Sequence, residues 1–382
     1  MHAQAELIPV TIASAGVVGV LVALLGSIKL PLAQRLCIDE TRVGFLVAAL
    51  FAAVVPLMLF GGLLIDSWGV KWVLTGGSFL TCLALFGLAV SRSFGQALGC
   101  VLLIGAGSAF LANSSVVLMP PAFHPDNKAA ATNLGNVFFG IGALVTPFLA
   151  HGLINYLGFR RGLGLLAVVC LAPASAAALT TTDAFPVHEA TGALQSVWRH
   201  PVLWFVGVGF ALYIPIEATV SAWTTTLLTR RGVREGRAAL VLSGFWLSLV
   251  VSRLVDWFIG FPKWSSPWLV LGLALAAAVV IGNLAFTEKR SHAIWLTLLA
   301  GFTLGPIFPT LAGILLEFFP VQQHGTAFGA AILIGSLGGL TLPPVIGQFA
   351  RHHSIEGAMY VNVVLAAVLG LLACVFGLWL VV

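Results

Sequence analysis

The sequence predicts an all-α membrane protein of twelve transmembrane helices arranged as two six-helix halves. Three observations carry that expectation. The 382-residue chain is 59% hydrophobic and only 8% charged, with a mean hydropathy of +1.06, and a water-soluble fold needs far more polar surface. About twelve apolar runs, each near the roughly 20 residues that a spanning helix requires, are separated by short turns holding nearly all the charge. The pattern of a membrane barrel, segments of about 10 residues with alternating polarity, is absent.

The first half, residues 1–181, reads as spans near 8–32, 43–65, 72–91, 97–118, 131–156 and 162–181. Met1 to Glu6 has no basic stretch and the apolar run behind it exceeds a signal-peptide core, so it is expected to stay as span one. Residues 182–200 form the longest polar interval and read as a central linker, with Ser196, Val197, Trp198 and Arg199 as a short interfacial helix. The second half, residues 201–382, repeats the rhythm with spans near 201–228, 238–259, 267–286, 292–317, 325–350 and 357–382.

An internal repeat supports the division. Asp66 ends span two and Asp256 ends span eight, 190 residues later. Gly140 to Pro147 in span five resembles Ser336 to Pro343 in span eleven, offset by 196. Two parallel copies of a six-helix unit account for both matches, and such duplication is expected to set a solute site near the midplane between the halves.

Other function classes are disfavoured. The five cysteines, Cys37, Cys82, Cys100, Cys170 and Cys374, lie mostly within apolar runs and suggest neither disulfides nor a metal site. No cofactor is expected. The basic residues form no stripe, so nucleic acid is not an expected partner. No nucleophile and base pair is evident, and His151 and His292 stand alone, so the chain does not read as an enzyme.

The stretch Gly62-Leu-Leu-Ile-Asp66-Ser-Trp-Gly69-Val-Lys71-Trp72 is a short polar break between two spans. It resembles the signature loop between helices two and three of the major facilitator superfamily, with Gly62, Asp66, Gly69 and Lys71 matching. Ser67 and Val70 stand where that loop commonly has a basic residue. The resemblance implies the major facilitator fold and a conformational latch. Asp66 faces the negative end of its own helix dipole and needs another partner, which the resemblance places at the start of span eleven, near Gln323 to Thr326, with Lys71 beside it.

Three further stretches are similar to the fucose/proton symporter and sugar-transporter branch: Tyr213 to Trp223; Ser243 to Trp246 with Ser252, Arg253 and Leu254; and Gly305 to Thr310. Gly325 to Gly347 and Asn133 to Pro147 also resemble it. This implies a small-molecule substrate, a sugar or sugar derivative, with an asparagine of span five in its site; Asn133 and Asn136 are both eligible. The carboxylates that the fucose symporter carries in helices one and four are missing, so its proton coupling does not transfer.

Glu217 is the sharpest candidate, because an ionisable group in mid-membrane is a functional hypothesis by default. It reads as a solute contact and as the proton-coupling group, with protons or another ion as the coupled partner. Tyr213, Ser221 and Thr224 fall at helical spacing and predict one polar stripe. Trp223 and Trp246 offer flat faces for a sugar ring, and Asn133, Asn136 and, more weakly, Asn113 offer amides for hydroxyls. Arg253 and Asp256, three apart, are expected to bond to each other as gate residues. Gly305, Pro306 and Pro309 are expected to break span ten, and Gly338, Gly339, Pro343 and Pro344 span eleven.

Orientation is contested within the sequence. An even number of spans and the signature loop place both termini in the cytoplasm of a plasma membrane, or inner membrane in a bacterium. Yet about 13 of the 18 basic residues fall on the side opposite the termini, against the positive-inside tendency. The loop pattern is followed here. The expected function is secondary transport of a small polar solute by alternating access, with a monomer in the lipid bilayer as the working form. Two alternatives stay open: efflux of amphipathic compounds or lipids, and a non-transporting receptor or assembly subunit on a transporter fold.

Overall fold

The computed structural model describes residues 2–181, 184–185, 193–352 and 354–381. Among the described residues every regular element is helical. The first stretch holds α1 (His2–Leu36), α2 (Glu40–Trp68), α3 (Val70–Val90), α4 (Phe94–Phe123), α5 (Lys128–Val169) and α6 (Ala172–Leu179). Beyond it come α7 (Ala193–Arg199), α8 (Pro201–Arg230), α9 (Glu235–Ile259), α10 (Ser266–Phe286), α11 (Arg290–Leu304), α12 (Ile307–Phe318), α13 (His324–His352) and α14 (Ile355–Val381). Of the polar interval, residues 182–183 and 186–192 lie outside the described residues, whereas Ser196 to Arg199 belong to α7.

Among the described residues, eleven stretches are long and apolar enough to cross a membrane. One of them, Lys128–Leu179, has 52 residues, about twice what a single crossing needs. It breaks at Gly158, whose φ of 76° and ψ of 162° lie outside the helical region, a conformation that suits glycine. Divided there, the eleven become the twelve spans that the apolar runs predict. A second interruption, between α5 and α6, follows from Pro173, which cannot donate to the Val169 carbonyl. Cys170 and Leu171 accordingly bond three residues back, to Ala167 and Val168.

Sequence also explains the helix ends. Asp39 caps α2 by accepting from the Arg42 amide at 2.9 Å, and Ser93 caps α4 by accepting from the Gln96 amide at 3.3 Å. Between α2 and α3 stands a single residue, Gly69, with φ 102°. Trp68 and Trp72 flank it, 67% and 69% exposed, as aromatic side chains do at a membrane boundary.

The chain forms two compact units. Unit 1 comprises Met1–Asp126, Phe138–Trp198 and Phe319–Ala330, and unit 2 comprises Asn127–Val137, Arg199–Phe318 and Ala331–Val382. Helices α5 and α13 therefore contribute to both. The core of unit 1 is built from side chains such as Leu21, Leu24, Ile28, Leu46, Ile65 and Leu85. Phe51, Phe60, Phe79 and Leu83 stay exposed at its surface, as side chains facing hydrocarbon can.

The duplication is visible in backbone packing. In unit 1, α5 meets α1 so closely that a Cβ on Gly142 would strike the Gly16 backbone. In unit 2, a Cβ on Gly338 of α13 would strike the Ala211 backbone of α8. Gly142 and Gly338 are the positions that the sequence repeat aligns, and α1 and α8 open the two sets of spans. Small residues permit such approach, which van der Waals packing rewards in lipid.

Candidate functional site

In unit 2 the polar chemistry starts from a proline. Pro309 has no N–H, so the Gly305 carbonyl, four residues earlier, has no donor from its own helix. Arg253 Nε of α9 donates to that oxygen at 2.8 Å, and its NH1 donates to the Asn136 carbonyl of α5 at 3.3 Å. Arg253 is 4% exposed, and its charge also interacts with Tyr213 and Glu217 of α8. One turn of helix separates those two, and the Tyr213 hydroxyl donates to Glu217 Oε2. Tyr213 is buried and tilted against the Phe308 ring, 6.2 Å between centroids.

Arg253, Tyr213, Glu217 and the Asn136 backbone thus converge, with the break between α11 and α12 supplying one acceptor. The geometry corrects the expected Arg253–Asp256 pair. Arg253 reaches across to the freed carbonyl, and among the described residues the one ion pair is Lys263–Glu317, at 3.0 Å. Asp256 is buried, its Oδ1 without a hydrogen-bond partner.

The predicted stripe on α8 also divides. Tyr213 and Glu217 join the cluster, whereas the Ser221 and Thr224 hydroxyls donate back to the Ala218 and Val220 carbonyls, the usual recourse of a hydroxyl inside a helix. The amides of α5 are drawn inward too. Asn133 Nδ2 donates to Ala129 O and Thr310 Oγ1, both at 3.1 Å, and Asn136 Nδ2 to Thr132 O at 2.9 Å. Asn133 Oδ1 has no partner. Trp246 packs edge-on against Phe245, 5.4 Å between centroids, and is 39% exposed. Half-buried Trp223 lies six residues beyond Glu217, about 9 Å along the helix axis.

Unit 1 holds the signature loop. Asp66 is 7% exposed; its Oδ1 accepts from the Gly325 amide at 3.0 Å and its Oδ2 from the Thr326 amide at 2.7 Å. These are orphan donors in the first turn of α13, where a carboxylate is favoured by both hydrogen bonding and the helix dipole. Gly62 lets the chains close, since a Cβ there would meet the Gly325 carbonyl. Asn113, read as a weak solute contact, belongs to this contact instead: its Nδ2 donates to Met58 O at 2.8 Å and Gly325 O at 3.3 Å.

Lys71 departs from expectation. It lies away from Asp66, donating to the Thr180 carbonyl at 2.9 Å with its ammonium over the Phe185 ring. Thr180 ends α6, and its carbonyl has no later helical donor, so the lysine satisfies a helix C-terminus. The expected interruption of span eleven is also absent: α13 runs through Pro343 and Pro344 without a break. Among the described residues no His, Cys, Asp or Glu cluster could hold a metal.

Twelve apolar spans, a buried charged cluster in one unit and a carboxylate-capped helix start in the other define a polytopic membrane carrier. The chain belongs to the Major Facilitator Superfamily, whose sequence model matches residues 10–342. It is 25% identical over 327 residues to a cis,cis-muconate transport protein of Acinetobacter baylyi, covering 78% of this chain and 76% of that one. A 3-(3-hydroxy-phenyl)propionate transporter of Escherichia coli is 24% identical over 336 residues, 83% and 80% of the two chains. The yeast Bypass of stop codon protein 6 is 23% identical over 168 residues, 41% of this chain and only 34% of its own length.

Among solved structures, the E. coli fucose:proton symporter in its outward conformation superimposes with a TM-score of 0.79 at 18% identity, covering 97% of this chain and 98% of that one. The human organic anion transporter MFSD10 gives 0.73 at 16%, covering 96% and 99%. These likenesses show the fold.

Proposed function

We propose that the protein is a secondary transporter that moves a small polar solute by alternating access, using the Arg253–Tyr213–Glu217 cluster of unit 2. The observation that carries this is an ionisable network inside spans that should otherwise be apolar, where charge is costly and its retention marks a solute or ion path. In this reading Glu217 carries the coupled proton, and Asp66, Gly62 and Gly69 form a latch that holds the start of α13 in one conformation and releases it in another. The working protein is a monomer with halves at 1–181 and 201–382 joined by 182–200, and both termini lie in the cytoplasm.

Two solute readings follow. A sugar is favoured by the branch-like motifs and by the fold likeness to the fucose symporter, with Trp223, Trp246, Asn133 and Asn136 as contacts. An organic acid is favoured by a buried arginine in the cluster and by relatives named for muconate and a phenylpropionate. Uptake into proteoliposomes of labelled monosaccharides and labelled organic acids, each with and without an inward proton gradient, tests both. Binding without flux in either class would sink the carrier reading and support a receptor.

A further inference from the structure

We infer that the end of unit 1 opposite the termini is a binding surface for the headgroups of anionic phospholipids, built on Arg35, Arg42, Arg92, Arg160 and Arg161. Span parity puts three connections at that end: α1 to α2, α3 to α4, and the break in α5 at Gly158. Each carries arginine. Residues 33–43 hold Arg35 and Arg42, residues 91–96 hold Arg92, and residues 156–162 hold Arg160 and Arg161. The same stretches contain two acids, Asp39 and Glu40, both in the first, and Asp39 is committed as the cap of α2. Among the described residues no carboxylate lies within ion-pair distance of any of the five arginines.

The arginines themselves tie the connections together. Arg35 Nε donates to the Ser91 carbonyl at 3.4 Å, at the C-terminal end of α3, where a cation is favoured. Its guanidinium also lies over the Phe159 ring, 5.3 Å from the centroid, and Phe159 directly follows the Gly158 break. Arg42 lies over the ring of Phe94, the first residue of α4, at 5.7 Å. Arg92 precedes the Ser93 cap of α4, and its amide donates to Gln96 Oε1 at 2.9 Å. A ring face supports a guanidinium without cancelling its charge. Two cations are thus held in place uncompensated, while Arg92, Arg160 and Arg161 extend exposed beside them.

The position of this charge selects the occupant. The connections join spans, so the guanidiniums stand at the level of lipid headgroups, and apolar surface continues from them into the membrane. Phe45, three residues beyond Arg42, packs on Phe94 at 6.1 Å between centroids and is 56% exposed. A phospholipid matches both parts, with its phosphate on the arginine forks and an acyl chain along Phe45. Arginine meets phosphate bidentately, and basic clusters beside spans attract anionic lipid. The surface is defined by span parity alone and is the same whichever way the chain crosses. The excess of basic residues opposite the termini then has a use in the folded protein that is separate from setting its orientation.

The test is native mass spectrometry of the purified full-length protein in detergent. It is titrated with phosphatidylglycerol, with phosphatidylcholine of the same chains, and with glycerol 3-phosphate and inorganic phosphate as free-phosphate probes. The wild type should retain phosphatidylglycerol in preference to the other three. Arg92→Gln/Arg160→Gln/Arg161→Gln removes side chains that make no hydrogen bond or ion pair with the described residues, so the melting temperature without lipid should hold. Its affinity for phosphatidylglycerol should fall roughly fivefold per arginine, on the order of a hundredfold in all. Arg230→Gln/Arg234→Gln/Arg237→Gln, an equal charge change in unit 2, should cost at least tenfold less. A photoactivatable phosphatidylglycerol should crosslink the wild type within residues 91–96 or 156–162, a readout that needs no variant. Equal retention of the two lipids, or equal losses in the two triple variants, overturns the inference. Crosslinks confined to other segments overturn it as well, and free phosphate binding as tightly as the lipid would make this a soluble-anion site instead.

Discussion

Asp66→Asn isolates the latch, because it keeps size and shape while removing the charge. The carboxylate accepts two backbone N–H bonds, from Gly325 at 3.0 Å and Thr326 at 2.7 Å, in a site 7% exposed. Hydrogen bonds to a charged group contribute about 1.5–3 kcal/mol each. Asparagine keeps one acceptor oxygen but turns an NH2 donor toward the other amide, so one bond is lost and a buried donor is left unpaired. A net loss of about 2–3 kcal/mol in the engaged state corresponds to roughly a 30–150-fold shift toward the released state. Met58, 4% exposed and in the same contact, provides the reporter: Met58→Cys in a Cys37→Ser background, labelled with a hydrophilic maleimide. When opening is fast, the labelling rate follows the open population, so Asp66→Asn should raise it by that factor. An unchanged rate in folded protein would show that the two bonds hold nothing that moves.

Other outcomes are as definite. Gly69→Ala forces a side chain into φ 102°, which costs about 1–3 kcal/mol; the melting temperature in detergent should fall by several degrees, and no fall would mean that the turn relaxes freely. Pro309→Ala restores a donor to the Gly305 carbonyl and sets it in competition with Arg253 Nε; transport should drop several-fold with thermal stability kept, and unaltered transport would separate the helix break from the site. Cys37 is exposed on the side opposite the termini, so a membrane-impermeant maleimide should label it in intact cells; failure, with labelling restored on lysis, would place the termini outside.

Which features could be read in advance follows from their physical range. The spans were legible because hydrocarbon demands about 20 apolar residues per crossing whatever the tertiary packing. The partner of Asp66 was legible too, since a carboxylate at the end of its own helix must look for donors elsewhere and a helix start offers them. Arg253 was misread because periodicity places it beside Asp256 on one face, yet a seven-atom side chain answers to acceptors on other helices. The decisive acceptor exists only because Pro309 withholds a hydrogen from Gly305, a relation across four residues of a different span. Lys71 was misplaced for a like reason: the C-terminus of α6 competes for it, and the position of that end depends on folding.

The two copies of the repeat diverge in a way that separates scaffold from function. Backbone contacts survive duplication: Gly142 meets Gly16 in unit 1 and Gly338 meets Ala211 in unit 2, because close helix approach tolerates nothing larger than a small residue on either side. Polar roles do not survive it. Asp66 has two backbone donors, whereas Asp256, its counterpart, has a buried oxygen with none. The same inequality recurs at span ten, where α11 and α12 are separated around Gly305 and Pro306 but α4, the corresponding span of the first half, runs on through Pro120 and Pro121. Van der Waals packing constrains both copies alike and keeps them alike; a buried charge is costly unless it is used. In unit 2 the buried cation is Arg253, and its partners come from α5, α8 and the break at Gly305, the last of which has no counterpart in α4.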